Sequence, residues 1–166
     1  EPLYPYPNLL PDAIHPNPEG AGILAKTVYS GITGNYGGLQ MSQLYTDYMV
    51  LQRNVPLDIH GTANAGEKIV VSIAATATAD NRGKWCVVLK PMEADDDLTL
   101  TVKAGRQTNV YRHVAVGEVW LCSGQSNMAF MLCQAESYKR DINSANDPQL
   151  RLYDMKGRWE TYDVAW

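Results

Sequence analysis

Residues 98–103, Leu-Thr-Leu-Thr-Val-Lys, carry an apolar side chain at every second position, with threonine or lysine between. Successive side chains of a β-strand point to opposite faces, so this stretch predicts a strand with one buried face. The same alternation recurs at residues 69–73 and 85–90, and shorter candidate strands lie at residues 48–52, 57–61 and 108–114. Gly-Glu, Asp-Asn-Arg-Gly and Asp-Asp-Asp sequences separate the strands as turns. Residues 40–115 are therefore predicted to form a β-sandwich, Ig-like or jelly-roll-like, with antiparallel strands.

An amphipathic helix is predicted before the sandwich, over residues 17–34. Asn17 suits the N-cap, Pro18 the first helical position and Gly34 the C-cap. Apolar residues recur there every three or four positions. The following polar, Gly-rich stretch marks a boundary near residues 34–40, beyond which the pattern changes to that of strands.

The opening of an α/β unit is predicted after the sandwich. Residues 117–122, Gly-Glu-Val-Trp-Leu-Cys, are mostly apolar without clean alternation, which favours a strand buried on both faces. A Ser-Gly-Gln-Ser-Asn turn follows at residues 123–127, then a helical pattern over residues 128–142 and a candidate strand at 150–155. The predicted class is mainly β: a central sandwich flanked by partial α/β segments.

Composition narrows the possible functions. The chain has 166 residues, a formal net charge of -4, 45% hydrophobic and 19% charged residues, which is globular composition. It argues against disorder and against a basic nucleic-acid-binding module. Its apolar stretches are shorter than the roughly 20 residues of a membrane helix, so no membrane span is expected. Since residue 1 is not Met, we expect a piece of a longer protein.

Ser126 is the sharpest catalytic candidate. A serine at a strand-to-helix turn can expose its hydroxyl while backbone N–H groups at the helix start face a developing oxyanion. Gly124 would permit the tight turn. The alternative is a polar loop with an N-cap. The stretch is not the Gly-x-Ser-x-Gly elbow of α/β-hydrolases, because Met128 occupies the last position. Cys122, at the end of an apolar strand, is predicted to be a buried, inert thiol.

Asp12 and His15 form a second candidate pair. An Asp three residues before a His can accept the imidazole N–H and orient the ring as a general base. The alternative is that Asp12 caps a turn and His15 is merely exposed before the helix. His60 and His113 lie in strand-like segments without an acidic partner in register, so we predict partly buried structural residues.

Other residues are assigned structural places. Residues 95–97, three aspartates, lack the spacing of a calcium loop and are predicted to be a solvated turn. Trp85 is in phase with its apolar neighbours and is predicted in the core. The three cysteines form no Cys-x-x-Cys pair, and their odd count leaves at least one outside any intramolecular disulfide.

Three strings together resemble the sialate O-acetylesterase family of SGNH hydrolases: residues 49–52 (Met-Val-Leu-Gln), 59–61 (Ile-His-Gly) and the long block at 117–128. The resemblance covers about residues 40–166. It implies that Ser126 is the nucleophile of a carbohydrate O-acetylesterase, with Gly124, Gln125 and Asn127 forming the turn and its oxyanion-binding groups. The implied acyl transfer requires no metal or organic cofactor.

Residues 12–17 (Asp-Ala-Ile-His-Pro-Asn) separately resemble the last block of a GDSL-type SGNH hydrolase, whose Asp and His complete the triad. This implies a tandem arrangement: residues 1–36 end one hydrolase module, 40–115 form the sandwich, and 116–166 begin a second module. A competing hypothesis is a permuted triad in which Asp12 and His15 serve Ser126, within the chain or across a dimer.

The expected partners are an O-acetylated carbohydrate, such as acetylated sialic acid, and the remainder of the parent protein. Acetyl xylan is an alternative substrate, because the serine block defines acyl transfer rather than the sugar. The alternative to catalysis is a carbohydrate-binding or structural sandwich. Bacterial members of the resembled family commonly act outside the cytoplasm, so an extracytoplasmic location is expected.

Overall fold

The strands and helices follow one another along the chain with short connections. The computed structural model describes Leu9 and residues 15–72, 75–124 and 126–153. One long helix, α1 (Pro18–Thr33), precedes eight strands: β1 (Gln40–Met41), β2 (Val50–Gln52), β3 (Leu57–Thr62), β4 (Lys68–Val71), β5 (Ala75–Thr78), β6 (Lys84–Leu89), β7 (Asp95–Ala104) and β8 (Gln107–Gly117). The 3-10 turns Ser126–Ala129 and Leu132–Gln134, the short helix α2 (Tyr138–Asp141) and a last 3-10 turn, Ile142–Ser144, follow.

The strands form two sheets. One has the order β1-β3-β6, and the other has the order β2-β8-β7-β4-β5. Neighbouring strands are antiparallel except for one pair: β2 runs parallel to the end of β8, with Val50 opposite Ala115 and Gln52 opposite Gly117. This parallel pair joins the sandwich to the residues that carry the serine block.

The two sheets share one apolar core, which confirms the mainly β prediction. Its main residues are 4% exposed or less and come from both sheets: Ile59, Trp85, Val87 and Leu89 from the first, and Ile69, Val71, Leu100, Val102 and Val114 from the second. They are the inward members of the alternating stretches. Burying one such side chain contributes roughly 1.5–3 kcal/mol, so the alternation supplies most of the driving force for this sandwich.

Three details of the sheets differ from the prediction. The first is that β2 and β8 run parallel, whereas all the strands were predicted to be antiparallel. The aspartates at 95–97 do not form the predicted hairpin turn, because β7 begins at Asp95 and pairs that residue with Val116. A register shift between Asp95 and Leu98 gives this end of the ladder its irregular pairing. Strand β5 was not predicted, since its Ala-Thr-Ala-Thr sequence offers only small side chains to an alternating pattern.

Helix α1 forms where predicted. The Asn17 side chain accepts a hydrogen bond from the Gly20 N–H at 2.8 Å, and Gly34 ends the helix with φ of 70°. The apolar stripe, however, is not buried: Leu24, Val28 and Ile32 are 40%, 60% and 80% exposed. Capping and local spacing therefore specify the helix, while its apolar face stays outside the core of the sandwich.

The predicted strand at 117–122 does not form beyond Gly117. Both neighbours of β8 end there, since β2 stops at Gln52 opposite Gly117 and β7 starts opposite Val116. Without a ladder to join, Val119, Trp120 and Leu121 are 52%, 82% and 92% exposed. The prediction of a doubly buried strand is wrong for the structure described.

The predicted helix over residues 128–142 is also wrong. The segment divides into short 3-10 turns and the four-residue α2. Met128, Met131 and Ile142 are exposed, so none of the described residues covers the stripe that would stabilise a continuous helix. Residues 150–153 form no strand, and the rest of the candidate strand at 150–155 lies outside the described residues. The module boundaries stay predictions.

Gly61 provides a test of the sandwich packing. A Cβ there would meet the Gln40 carbonyl oxygen and lie 2.9 Å from Cζ2 of Trp85. We therefore expect Gly61→Ala to lower the free energy of unfolding by about 1–3 kcal/mol in urea denaturation followed by tryptophan fluorescence. Gly22→Ala is the control, because nothing lies within 4 Å of that position in α1. Equal stability of the two variants would contradict the packing described.

Candidate active site

Ser126 is the first residue of the 3-10 turn Ser126–Ala129, and it is exposed. Asn127, also exposed, lies in the same turn, and its carbonyl accepts a hydrogen bond from the Phe130 N–H at 3.3 Å. The structure thus places Ser126 on a tight turn at the surface, although neither the predicted strand before this turn nor the predicted helix after it forms. The nucleophile assignment itself stays a prediction.

The remaining residues assigned to the turn have different outcomes. Gly124 is exposed and does not have positive φ, so the turn does not require glycine for a left-handed backbone. A Cβ at Gly124 would meet Cγ of the flexible Met128 side chain at 2.5 Å. Gln125 lies outside the described residues.

The serine block is held at its start by the end of β2. The Val119 N–H donates to Oε1 of Gln52 at 2.8 Å, and Nε2 of Gln52 donates to Oε2 of Glu118 at 3.1 Å. Nε of Arg53 pairs with Oε1 of Glu118 at 2.7 Å. The strings at 49–52 and 117–128, far apart in sequence, are therefore adjacent in space.

The Glu118 carboxylate is held in its charged form by these contacts. The hydrogen bond from Gln52 lowers its pKa most, and the hydrogen bond from Arg53 and the positive charge of that residue lower it further. Both Glu118 and Arg53 remain solvent-exposed, so the pair orients the backbone more than it adds stability.

A second contact holds the far end of the serine segment, residues 118–151, which carries Ser126. Nη1 of Arg151 donates to the carbonyl oxygens of His113, Tyr48 and Met49 at 2.6, 3.1 and 3.2 Å. Its Nη2 donates to the Asp96 carbonyl at 3.2 Å. One guanidinium therefore donates hydrogen bonds to backbone carbonyls from three separate stretches of the sandwich edge.

Tyr48 and His113 have unusual backbone conformations at this contact, with φ of 64° and 54°. Their rings stack with centroids 4.8 Å apart, and Nδ1 of His113 lies 2.9 Å from Oδ1 of Asp97. The predictions for His113 are wrong on both points, because it is exposed and has an acidic partner. The irregular register between β7 and β8 brings Asp97 to it.

His60 is exposed rather than partly buried, and its ring lies edge-on to Tyr45 with centroids 6.0 Å apart. Cys122 is exposed too, so the prediction of a buried thiol is wrong. Trp85 is confirmed as a core residue. Within the described residues, no group of three or more His, Cys, Asp or Glu side chains is arranged to hold a metal ion.

His15 is exposed at a bend just before α1, and Asp12 lies outside the described residues. The proposed contact of this pair with Ser126 stays a prediction. None of the helices in the described part of the chain is both long and apolar enough to cross a membrane.

Sequence reasoning missed the residues that hold the serine segment: Gln52, Arg53, Glu118 and Arg151. Gln52 and Glu118 stood inside the recognised strings, and the opposite charges of Arg53 and Glu118 were available as a signal. Arg151 carried no local signal, because its acceptors are backbone carbonyls brought together by the fold.

The contact between Gln52 and Glu118 predicts a shifted titration. Because the folded pKa of Glu118 is lowered, its contribution to holding the segment is present above the ordinary glutamate pKa of about 4.3 and is lost as pH falls through the lower folded value. We expect the carboxyl resonance of Glu118 to titrate below that ordinary value in NMR spectra, and Gln52→Ala to raise the midpoint. Gln149→Ala is the control glutamine variant; an unchanged midpoint in Gln52→Ala would contradict the contact.

Comparison with known proteins gives two sequence relatives and a solved structure. No model of a known protein family matches the chain. It is 25% identical over 155 residues to a sialate O-acetylesterase of Rattus norvegicus, covering 84% of this chain and 29% of that protein. It is 26% identical over 133 residues to a sialate O-acetylesterase of Mus musculus, covering 71% of this chain and 25% of that protein.

The structure is similar to the crystal structure of a carbohydrate acetylesterase from Xanthomonas citri, with a TM-score of 0.61 and 34% sequence identity. That match covers 66% of this chain and 26% of the other. The chain spans less than a third of the length of each of these relatives. In its sequence strings, its sandwich and these matches, the chain is similar to sialate O-acetylesterases and to a carbohydrate acetylesterase.

Proposed function

We propose that the chain is part of a carbohydrate O-acetylesterase in which Ser126 is the nucleophile. The observation that carries this proposal is the attachment of the serine block to β2 through Gln52, Arg53 and Glu118. It joins in space two of the three strings by which the chain resembles the family, those at 49–52 and 117–128. The similar proteins are acetylesterases of sialate or carbohydrate by name, which supports the same activity.

The proposed reaction is acyl transfer to serine and then to water. The Ser126 Oγ attacks the acetyl carbonyl carbon while a histidine takes the hydroxyl proton. The bond between that carbon and the sugar oxygen breaks, and the histidine returns the proton to the sugar oxygen. Water then attacks the acetyl-enzyme, which releases acetate and restores the serine.

Two sources of the histidine are proposed. In the tandem arrangement it comes from a part of the parent protein beyond the serine block, and Asp12 and His15 belong to a preceding module. In the permuted arrangement His15 itself serves Ser126. We favour the tandem arrangement, because residues 12–17 and residues 117–128 resemble parts of two separate hydrolase modules. Each module needs its own hydrogen-bond donors to the oxyanion. Each absent donor would cost roughly 100-fold to 1000-fold in rate.

The proposed substrate is an O-acetylated sugar. Acetylated sialic acid is the preferred candidate, because two relatives are named sialate O-acetylesterase. Acetyl xylan remains a substrate for the test, since the serine block addresses the acetyl carbonyl rather than the sugar. The extracytoplasmic location of the parent protein stays a prediction.

Acetate release tests the proposal. We use the full-length protein that carries this chain, with the serine nucleophile of any preceding hydrolase module replaced by alanine. We expect it to release acetate from O-acetylated sialic acid, and Ser126→Ala to reduce the rate by roughly a thousandfold or more. Ser123→Ala is the matched control, because it removes a hydroxyl from the same exposed loop and should keep the rate. Undiminished release by Ser126→Ala would exclude the serine mechanism and favour a non-catalytic sandwich module.

His15→Ala distinguishes the two arrangements. We expect this variant to keep its rate of acetate release, because in the tandem arrangement His15 belongs to another module. A loss as large as that of Ser126→Ala would instead place both residues in one site and overturn the tandem arrangement. His60→Ala is the matched control, since it removes another exposed imidazole of the chain.

A further inference from the structure

We infer that Arg151 is a positioning residue: it fastens the far end of the segment that carries Ser126 to the edge of the sandwich and thereby fixes the Ser126 turn. This serine segment comprises residues 118–151. Its role in catalysis rests on the proposed function of Ser126, whereas the fastening itself does not.

The contacts of Arg151 are made by a half-buried guanidinium with backbone oxygens. Two of its nitrogens donate to four carbonyls, those of Tyr48, Met49, Asp96 and His113, at 2.6–3.2 Å. The guanidinium also lies 5.9 Å from the centroid of the Tyr48 ring. The planar guanidinium presents several N–H donors in fixed directions, which suits acceptors that converge on it, whereas a lysine ammonium is a compact point charge. These contacts therefore depend on arginine rather than on positive charge alone.

The backbone conformation of the sandwich edge orients carbonyl oxygens toward the Arg151 side chain. Left-handed backbone conformations are unfavourable for non-glycine residues and persist only where the surroundings compensate. Tyr48 and His113 both adopt them, and the carbonyls of both accept from Arg151. The stacked rings and the contact between His113 and Asp97 hold the two residues in place. The strain is thus concentrated at the point where the serine segment returns.

The segment needs fastening at both ends because little of it is buried. Its start is held at Glu118 and Val119 by Gln52 and Arg53. Between the two ends, the apolar side chains of Leu121, Met128 and Phe130 are exposed rather than packed in the core. Holding a loop at its second end restricts the conformations available to it, so loss of Arg151 would leave the Ser126 turn tethered from one side.

The test compares Arg151→Ala and Arg151→Lys with Arg140→Ala. Arg140 is a matched control: it lies in the same segment, is exposed, and pairs with the adjacent Asp141. In the full-length protein, we measure amide hydrogen exchange across residues 118–150 and in β3 and β6, together with kcat and KM for acetate release.

We expect Arg151→Ala to speed exchange about tenfold or more in residues 118–150 and to leave β3 and β6 unchanged. We expect kcat to fall about 10-fold to 100-fold with KM within about twofold, since the loss is one of orientation. Arg151→Lys should restore only part of either property, and Arg140→Ala should match the wild type.

Unchanged exchange across 118–150 in Arg151→Ala would overturn the fastening. Faster exchange with an unchanged kcat would overturn the positioning role while leaving the proposed function intact. An inert wild type, or a Ser126→Ala variant with full activity, would instead overturn the proposed function, and the exchange measurement would still decide the fastening. Faster exchange in β3 and β6 as well would make Arg151 a residue of general stability, against the inference.

Discussion

The parallel pairing of β2 with the end of β8 is the contact on which the arrangement of the candidate site depends. It is a short ladder, Val50 to Gln52 against Ala115 to Gly117, at the edge of the five-stranded sheet. Because its register is set, Gln52 and Arg53 emerge beside Glu118 and Val119. A shift of one residue would turn these side chains to the opposite face and separate them from the serine block.

The molecule combines a firmly packed sandwich with a loosely packed serine segment. The sandwich buries apolar residues of both sheets in one closely packed core, so its edge is a rigid support for the serine segment. The serine segment instead depends on polar contacts at its two ends. Such a division is common where a rigid scaffold presents residues on loops. In this chain, the edge of the second sheet supplies both attachments, through Gln52 and Arg53 on one side and the carbonyls around Tyr48 on the other.

The sandwich could be predicted largely from sequence, because strand alternation is local and its apolar phase decides which face is buried. Trp85, Leu100 and Val102 were placed in the core on this basis alone, and helix α1 followed from Asn17 and Gly34. The predicted strand and helix after the sandwich did not form, because each would need a neighbouring element to pack or pair with. Residues 117–122 have the composition of a buried strand, but the ladder ends at Gly117. The apolar side chains of residues 128–142 pack on none of the residues that the structure describes, and the predicted helix does not form.

The candidate site divides in the same way. The sequence by itself determined the serine block, its resemblance to acetylesterases and the alternation that builds the sandwich, because each is written in consecutive residues. Only the tertiary structure decided that Gln52 and Arg53 hold Glu118, that Asp97 meets His113 and that Arg151 reaches the carbonyl of Tyr48. The physical reason is that these contacts join residues distant in the chain. They depend on strand register, on the irregular pairing of β7 with β8, and on backbone oxygens, which are the same in every residue and so give no sequence signal.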